Sequence, residues 1–268
     1  MRYRSLQQQV CRLRQQMPQL GTRKLHYLLQ QQLGNDKLSV GRDWLFNFLR
    51  NRGLLVKRKR KYVKTTDASQ WRRQHPNLVE NKRPSGPEQL WVADITYLSI
   101  KEGYRYLHLL TDAYSKKIMG YELSKDLSGS HSAKALKAAL QRRQYQGRPL
   151  IHHSDRGLQY CSGQYTDLLK QAGVNISMTQ DGSPYDNAVA ERINGILKQE
   201  YGLDELIEDD FTLRTQVKQA INNYNSQRPH WSCWLKTPDE MHQQQQLPIR
   251  TWNRKPAMGT TDKWTLLT

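Results

Sequence analysis

The chain has 268 residues, enough for one sizeable domain and a smaller one. Its 42 lysines and arginines against 24 aspartates and glutamates give a net charge of +18, and residues 1–64 alone hold 16 basic and two acidic residues, a net charge of +14. A basic arm before a nearly balanced body is typical of a polyanion binder, because neutralised phosphates release condensed counterions. An anionic membrane surface would suit the charge equally well.

The three cysteines, Cys11, Cys161 and Cys233, are odd in number and far apart. This pattern indicates neither a disulfide framework nor a cysteine-based zinc site, and it fits a reducing cytosol. The N-terminus has no secretory apolar region, and no apolar run approaches the length of a membrane span. We therefore expect a cytoplasmic protein without membrane association.

Residues 1–64 show apolar side chains at helical spacing, which predicts three helices. The first carries Leu6, Val10, Leu13 and Met17, the second Leu25, Leu28 and Leu29, and the third Val40, Trp44, Leu45, Phe48 and Leu49. Thr22 and Ser39 are candidate N-caps of the second and third helices. Short consecutive helices favour a helix-turn-helix-like DNA-binding segment, with Arg42, Asn47 and Arg50 toward DNA. A generic three-helix bundle with a solvated basic face is the alternative, and the charge favours DNA.

A run of five basic residues follows, Lys57, Arg58, Lys59, Arg60 and Lys61. Such a run is usually a solvated linker, but between a helical segment and a catalytic-looking body we expect it to contact a phosphate backbone. Residues 65–89 contain three prolines among polar residues and are interpreted as a linker.

From residue 90 onward, the sequence pattern changes from helices alone to alternating strands and helices. Strands are predicted at 91–100, 105–111, 117–123, 150–153 and 175–178, and helices at 130–143, 164–172, 186–201 and 211–226. Three antiparallel strands followed by alternating helices and strands predict an α/β fold with a mixed sheet. We assign residues 90–240 to this core and residues 241–268 to a Gln-rich and basic tail.

Three acids stand at distinctive places in this core. Asp94 lies within the first strand, where a carboxylate is costly to bury unless a partner or cation compensates it. Asp155 follows the fourth strand, and Glu191 lies one turn into a helix. Hard oxygen ligands from three separate elements suit Mg²⁺ or Mn²⁺, and two such ions support an in-line phosphoryl displacement. Each acid alone is weak evidence of a site, but 35 residues separate Asp155 from Glu191.

The blocks around these acids carry a resemblance to a known family. They are Trp91–Tyr97 (WVADITY), His153–Tyr160 (HSDRGLQY), Ser177–Ala188 (SMTQDGSPYDNA), Glu191–Glu200 (ERINGILKQE) and Tyr224–His230 (YNSQRPH). In this order they resemble the catalytic core of retroviral-type integrases and, more closely, the second-frame (OrfB) transposase of the bacterial insertion sequences with two overlapping reading frames. The resemblance extends to about Glu240. It implies a ribonuclease-H-like core of five strands behind a helical DNA-binding segment.

By that resemblance, Asp94, Asp155 and Glu191 take the positions of the family's catalytic and metal-binding triad. The implied enzyme is a DDE transposase that cleaves insertion-sequence ends and joins them to DNA with two Mg²⁺ or Mn²⁺ ions. The implied partners are transposon ends, target DNA, further copies of the chain and the upstream-frame (OrfA) product, in the bacterial cytoplasm at the nucleoid. The active transposase of this family is often a fusion with the upstream frame, so both possibilities stay open: activity of the chain alone and activity only with the upstream-frame segment.

Other residues near the triad have competing interpretations. Lys198 lies two turns after Glu191 on about the same helix face, which favours a DNA contact over a solvated lysine. Asn194, one turn after Glu191, is a weaker candidate of the same kind. Asp112 is explained by turn chemistry. His152 and His153 are interpreted as packing or hydrogen-bonding residues rather than metal ligands.

Two alternatives to the transposase remain. A ribonuclease-H-like nuclease would hydrolyse DNA without joining it. A non-catalytic DNA-binding regulator would use the fold without chemistry, but three clustered acids beside DNA phosphates give a pure binder no advantage. The N-terminal segment offers only His26 and Cys11 as zinc ligands, so a zinc-binding module is not expected.

Overall fold

A computed structural model describes residues 2–33, 40–56, 75–80, 83–179 and 188–249. The N-terminal segment forms three helices, α1 (Arg2–Gln16), α2 (Thr22–Leu33) and α3 (Arg42–Asn51). Their apolar side chains form one shared core, made of Leu6, Val10, Leu13, Met17, Leu20, Leu25, Leu29, Leu45, Phe48 and Leu49. The helical periodicity therefore predicted the three helices and most of the residues that they bury.

The third helix differs from its prediction in two details. Trp44 does not lie on the buried side: it is exposed and stacks on Phe48 with ring centroids 5.1 Å apart. Gly41 occupies the N-cap position of α3 without a side-chain cap bond, and the proposed cap Ser39 lies outside the described residues.

The core is a five-stranded sheet. Its strands are β1 (Leu90–Ile100), β2 (Gly103–Asp112), β3 (Ile118–Ser124), β4 (Ile151–Ser154) and β5 (Asn175–Met178). The spatial order is β3-β2-β1-β4-β5, with β1 in the centre. The first three strands are antiparallel, and β4 and β5 run parallel to β1. This arrangement confirms the predicted mixed sheet.

Helices cover both faces of the sheet, because alternate strand residues are apolar on each side. One face packs α7 (Ala188–Tyr201) and α8 (Asp210–Ser226) against Leu98, Ile100, Leu107 and Leu109. The other packs α4 (Gly129–Gln141), α5 (Leu158–Cys161) and α6 (Gly163–Gln171) against Trp91, Ala93 and Leu110. At Gly120 a Cβ atom would lie 2.3 Å from the backbone oxygen of Ala135, so only glycine lets α4 approach β3 this closely.

The core extends further along the chain than predicted. Residues 231–233 form a 3-10 turn and Pro238–His242 form α9, neither of which was predicted. Met241 and His242, assigned to the tail, are fully buried. The hydroxyl of Tyr114 donates to the backbone oxygen of Leu247 over 2.6 Å, so the described tail packs against the sheet. Residues 250–268 lie outside the described part of the chain.

The proline-containing linker is also packed where it is described. The side chain of Glu88 is fully buried, and its carboxylate accepts hydrogen bonds from the backbone nitrogens of Gln144 and Tyr145, each over 2.8 Å. The backbone oxygen of Pro76 accepts from Met178 at the end of β5. Proline content marked this stretch as irregular backbone, but irregular backbone can still be buried when its polar groups are paired.

Candidate active site

Asp94 lies near the middle of the central strand, on the face that α7 covers. Its Oδ1 accepts a hydrogen bond from the backbone nitrogen of Ile95 over 2.9 Å, and its Oδ2 accepts one from the amide of Asn194 over 2.7 Å. The paired register of β4 with β1 runs from Leu90 to Val92. Asp94 therefore lies just beyond the end of this pairing, on the part of β1 that β4 no longer pairs with.

Asp155 reaches the same place from the neighbouring strand. It directly follows β4, in which His153 is paired with Val92 of β1. Asp94 and Asp155 each lie two residues beyond this last pair, and the negative charge of Asp155 acts on Asp94. The Oδ1 of Asp155 accepts a hydrogen bond from the backbone nitrogen of Gly157 over 3.0 Å, which fixes the carboxylate at the turn.

Glu191 comes from the first turn of α7 and is exposed. It lies one turn before Asn194, so the contact of Asn194 with Asp94 orients that end of α7 toward the two aspartates. The segment 180–187, which precedes α7 and includes the proposed cap residues 186–187, lies outside the described residues.

Asp94 responds to the two other carboxylates electrostatically. Burial, as the largest cause, and the negative charges of Asp155 and, more weakly, Glu191 together raise the pKa of Asp94 to about 7, against the hydrogen bonds from Ile95 and Asn194. Burial also raises the pKa of Asp155, against the opposing hydrogen bond from Gly157. The site therefore concentrates negative charge that is only partly compensated by hydrogen bonds.

This donor set fits a hard divalent cation. Carboxylate oxygens are the ligands that Mg²⁺ and Mn²⁺ prefer, and a cation there would relieve the repulsion that raises the Asp94 pKa. Oδ1 of Asn194 is buried without a hydrogen-bond partner among the described residues. It is a further oxygen atom close to the Asp94 carboxylate, which the amide nitrogen of the same side chain contacts. Across the part of the chain that the structure describes, no three histidine, cysteine or acidic side chains stand at metal-binding distances.

Asn194 is largely buried beside Asp94. It is 7% exposed, and its amide donates to Asp94. The DNA contact expected of Asn194 stays a prediction, and the contact with Asp94 gives it a second candidate role, the orientation of that carboxylate.

Lys198 is half-buried, and its ammonium contacts Tyr97 of β1. Its ammonium lies 4.2 Å from the ring centroid of Tyr97, a cation–π contact. Burial lowers the pKa of Lys198, and the negative charges of Asp204 and Asp94 oppose that effect. Tyr97 was not singled out from the sequence, although it lies only three residues after Asp94 in the same block.

The proposed DNA-contacting residues of α3 share one solvent-facing side. Arg42, Asn47 and Arg50 are all exposed. Arg42 pairs with its neighbour Asp43, and the guanidinium of Arg50 lies 4.9 Å from the ring centroid of Phe46. The basic run Lys57, Arg58, Lys59, Arg60 and Lys61 lies outside the described residues.

The remaining candidates have structural partners. Asp112 is fully buried and accepts hydrogen bonds from the backbone nitrogens of Glu88 and Ser115, which fits the turn role expected for it. His152 contacts the Tyr165 hydroxyl and His153 the Ser177 hydroxyl, each over 2.8 Å. Both histidines are therefore core hydrogen-bonding residues.

A mixed sheet in the order 3-2-1-4-5, with aspartates on its first and after its fourth strand and a glutamate on a following helix, defines the ribonuclease-H-like class of nucleic-acid enzymes. Residues 84–184 match the family described as integrase core domain, and residues 172–238 match a second family of the same description.

Two curated relatives are similar over most of their length. The insertion element IS600 uncharacterized 31 kDa protein of Shigella sonnei is 37% identical over 216 residues, 78% of this chain and 76% of the relative. The transposase InsF for insertion sequence IS3A of Escherichia coli (strain K12) is 35% identical over 194 residues, 72% of this chain and 67% of the relative. The chain belongs to this family of insertion-sequence transposases with an integrase core domain.

Among solved structures, the HTLV-2 integrase catalytic core domain in complex with magnesium (trimeric form) aligns with 21% identity and a TM-score of 0.47. The alignment covers 60% of this chain and 99% of that one. Within the described ranges of the present chain, no helix has both the length and the apolar character that crossing a bilayer requires.

Proposed function

We propose that the chain cleaves the ends of an insertion sequence and joins them to DNA, using Asp94, Asp155 and Glu191 as its catalytic and metal-binding residues. The observation that carries this proposal is the convergence of three acids from three elements: Asp94 on β1, Asp155 directly after β4, and Glu191 on α7, one turn before the residue that bonds Asp94. Burial and the negative charges of the other two acids raise the pKa of Asp94, and a carboxylate that is costly to ionise without a cation fits a site built for cations.

The two aspartates and the glutamate would hold two Mg²⁺ or Mn²⁺ ions. When bound, such a pair supplies Lewis acidity at both the attacking and the leaving oxygen of a phosphodiester. Asn194 keeps one oxygen of Asp94 turned toward α7, and the backbone nitrogen of Gly157 keeps Asp155 at the end of β4. These contacts orient the ligands before DNA arrives.

In cleavage, a water oxygen attacks the phosphodiester at the end of the element and leaves a 3′-hydroxyl. In joining, that hydroxyl attacks a second phosphodiester and displaces its 3′ oxygen, so no covalent intermediate with the protein is needed. Lys198 holds a phosphate of the attacking strand next to the acids. The side chains do no covalent chemistry, and their contribution is orientation and charge.

The basic N-terminal segment binds the element's end duplex. Arg42, Asn47 and Arg50 contact it from α3, and the run Lys57, Arg58, Lys59, Arg60 and Lys61 follows the phosphate backbone between α3 and the core. The further partners are the target DNA, other copies of the chain on the two ends, and the upstream-frame product, all at the bacterial nucleoid.

One assay tests the proposal. The protein is incubated with Mg²⁺ and labelled duplexes carrying the ends of the element that encodes it, with and without the upstream-frame product. We expect 3′-end nicks and joined strands. Nicks without joined strands in both conditions would favour the hydrolytic nuclease, and binding without any nick would favour the regulator.

A further inference from the structure

The last residues of α7 lie at a junction of three parts of the chain. Glu200 accepts two hydrogen bonds from the guanidinium of Arg228, over 2.8 Å and 2.7 Å, and a third contact from Lys24 of α2 at 3.4 Å. Its backbone oxygen also accepts from the backbone nitrogen of Gln19, between α1 and α2, over 3.0 Å. Glu200 thus contacts the N-terminal segment and the segment after α8 at once.

Arg228 belongs to the block Tyr224–His230, which in the sequence served only to establish a resemblance. Three side chains of the block fasten separate elements. Asn225 bonds both backbone groups of Ile118 at the start of β3, and the Tyr224 hydroxyl donates to the backbone oxygen of Lys116. Arg228, only 1% exposed, then bonds Glu200. Through these hydrogen bonds the block connects α7 to the start of β3 and to the turn before it.

Stability alone does not account for this arrangement. A buried ion pair loses solvation, so apolar residues of similar volume would stabilise the junction about as well. A bidentate arginine–carboxylate pair adds geometric restriction, because two parallel hydrogen bonds fix the mutual angle of the groups. Burial raises the pKa of Glu200, but Arg228 and Lys24 together lower it below its usual value, so the carboxylate is charged.

We infer that Glu200 is a positioning residue of the reaction: held by Arg228 and Lys24, it sets the orientation of α7 relative to the N-terminal helices. This inference rests on the proposed function. Glu191 lies nine residues before Glu200 on the same helix, about 14 Å away along the axis. A small tilt at the Glu200 end therefore moves Glu191 and Lys198 relative to DNA held by α3.

The junction is tested with the full-length chain and two substitutions. Glu200→Gln removes the charge that Arg228 and Lys24 share. Lys24→Met removes only the contact from α2 and leaves the Glu200–Arg228 pair in place. Lys134→Met is the matched control, since Lys134 pairs across 4.0 Å with Glu122 on the core, away from the junction.

Two readouts separate positioning from general stability. One is the turnover rate of end cleavage at saturating DNA, measured with the DNA affinity. The other is the distance distribution between spin labels on exposed Cys11 of α1 and on Gln216→Cys of α8, in a Cys161→Ser background. We expect Glu200→Gln to lower the turnover rate about tenfold or more, since a displacement of about 1 Å can cost a hundredfold.

Lys24→Met should lower the turnover rate less than Glu200→Gln does. Both variants should broaden the distribution of distances between the labels, and both should bind DNA as tightly as the wild type. Folded Lys24→Met protein with wild-type turnover and distances would overturn the inference, whether or not Glu200→Gln folds. Wild-type protein that cleaves no DNA would instead contradict the proposed function, and the label distances would still report on the junction.

Discussion

The amide of Asn194 donates to Oδ2 of Asp94 over 2.7 Å, joining the second turn of α7 to the central strand. This contact turns one carboxylate oxygen toward the helix that also carries Glu191. The proposed function therefore gives Asn194 a role in orienting a metal ligand, which its position in the sequence, one turn after an acid, does not distinguish from DNA contact.

Replacing Asn194 with alanine should raise the Mg²⁺ concentration needed for half-maximal cleavage. The loss of a residue that orients a metal ligand typically costs about tenfold or more in metal affinity or activity. A Mg²⁺ titration of end cleavage measures the effect, with Asn222→Ala on the exposed side of α8 as the control. An unchanged Mg²⁺ requirement at reduced DNA affinity would instead favour Asn194 as a DNA contact.

The raised pKa of Asp94, about 7, predicts a pH-dependent stability of the metal-free protein. In the unfolded chain an aspartate titrates near pH ~3.9. Between these values the folded state binds more protons, so the contribution of Asp94 to the free energy of unfolding decreases as the pH rises from about 4 to about 7. Asp94→Asn lacks this contribution and should gain stability relative to the wild type over that range.

Denaturant unfolding in the presence of a chelator, at several pH values, tests this difference. Asp167→Asn on the exposed side of α6 is the control and should follow the wild type. Parallel pH profiles for the wild type and Asp94→Asn would mean that Asp94 titrates in the folded protein as in the unfolded chain. Added Mg²⁺ should stabilise the wild type more than Asp94→Asn at pH 7.

The exposed arginines of α3 should contribute to the salt dependence of DNA binding. Deleting the whole basic segment would not test this, because Asn223 bonds the backbone of Gln16 and Tyr201 packs on the N-terminal core, so the deletion would expose the core. Arg42→Gln with Arg50→Gln leaves that packing intact.

If both arginines neutralise a phosphate, the slope of log K against log salt should decrease in magnitude by roughly 0.9 for each. The control exchanges two exposed lysines of the core helices, Lys134 and Lys170, for glutamine. Binding titrations over a salt series give the slopes. Equal slopes for the wild type and the α3 variant would assign that face to a role other than phosphate contact.

Lys198 should matter more for joining than for nicking, because joining must also hold a 3′-hydroxyl strand beside the acids. Lys198→Ala removes the ammonium that lies over Tyr97, and a charge-assisted phosphate bond predicts a loss of about tenfold or more in joining. Precleaved and uncleaved end duplexes report the two steps separately, with Lys170→Ala as the control. Equal losses in both steps would place Lys198 in general DNA binding.

The sequence predicted most of the sheet because strand alternation and helical spacing are local signals. It also predicted β5 at the bounds that the structure has. It did not predict the Asn194–Asp94 contact, the Lys198–Tyr97 contact or the Glu200–Arg228 pair, because the first two join separate elements of the core and the third joins a helix to the segment after α8. The burial of His242 was not predicted for a similar reason: glutamine content indicated a tail after residue 240, whereas His242 contacts Ser115 and Glu88 in the interior.

The contacts of Asp112 could not be predicted from its position in a turn. From the sequence alone, Asp112→Asn would be a neutral control for substitutions of the three candidate catalytic acids. The buried carboxylate accepts from Glu88 and Ser115, so its substitution would leave buried donors without a partner and destabilise the fold. An exposed acid such as Asp167 is the appropriate control.

The central claim is that Asp94, Asp155 and Glu191 form one metal-dependent catalytic site. Its most direct test is single-turnover cleavage and joining of labelled element ends in Mg²⁺ by Asp94→Asn, Asp155→Asn and Glu191→Gln, beside the wild type and Asp167→Asn. We expect all three site variants to keep the fold and DNA affinity of the wild type while losing both reactions, and Asp167→Asn to keep both. Near-normal joining by any one of the three would remove that residue from the site and contradict the claim.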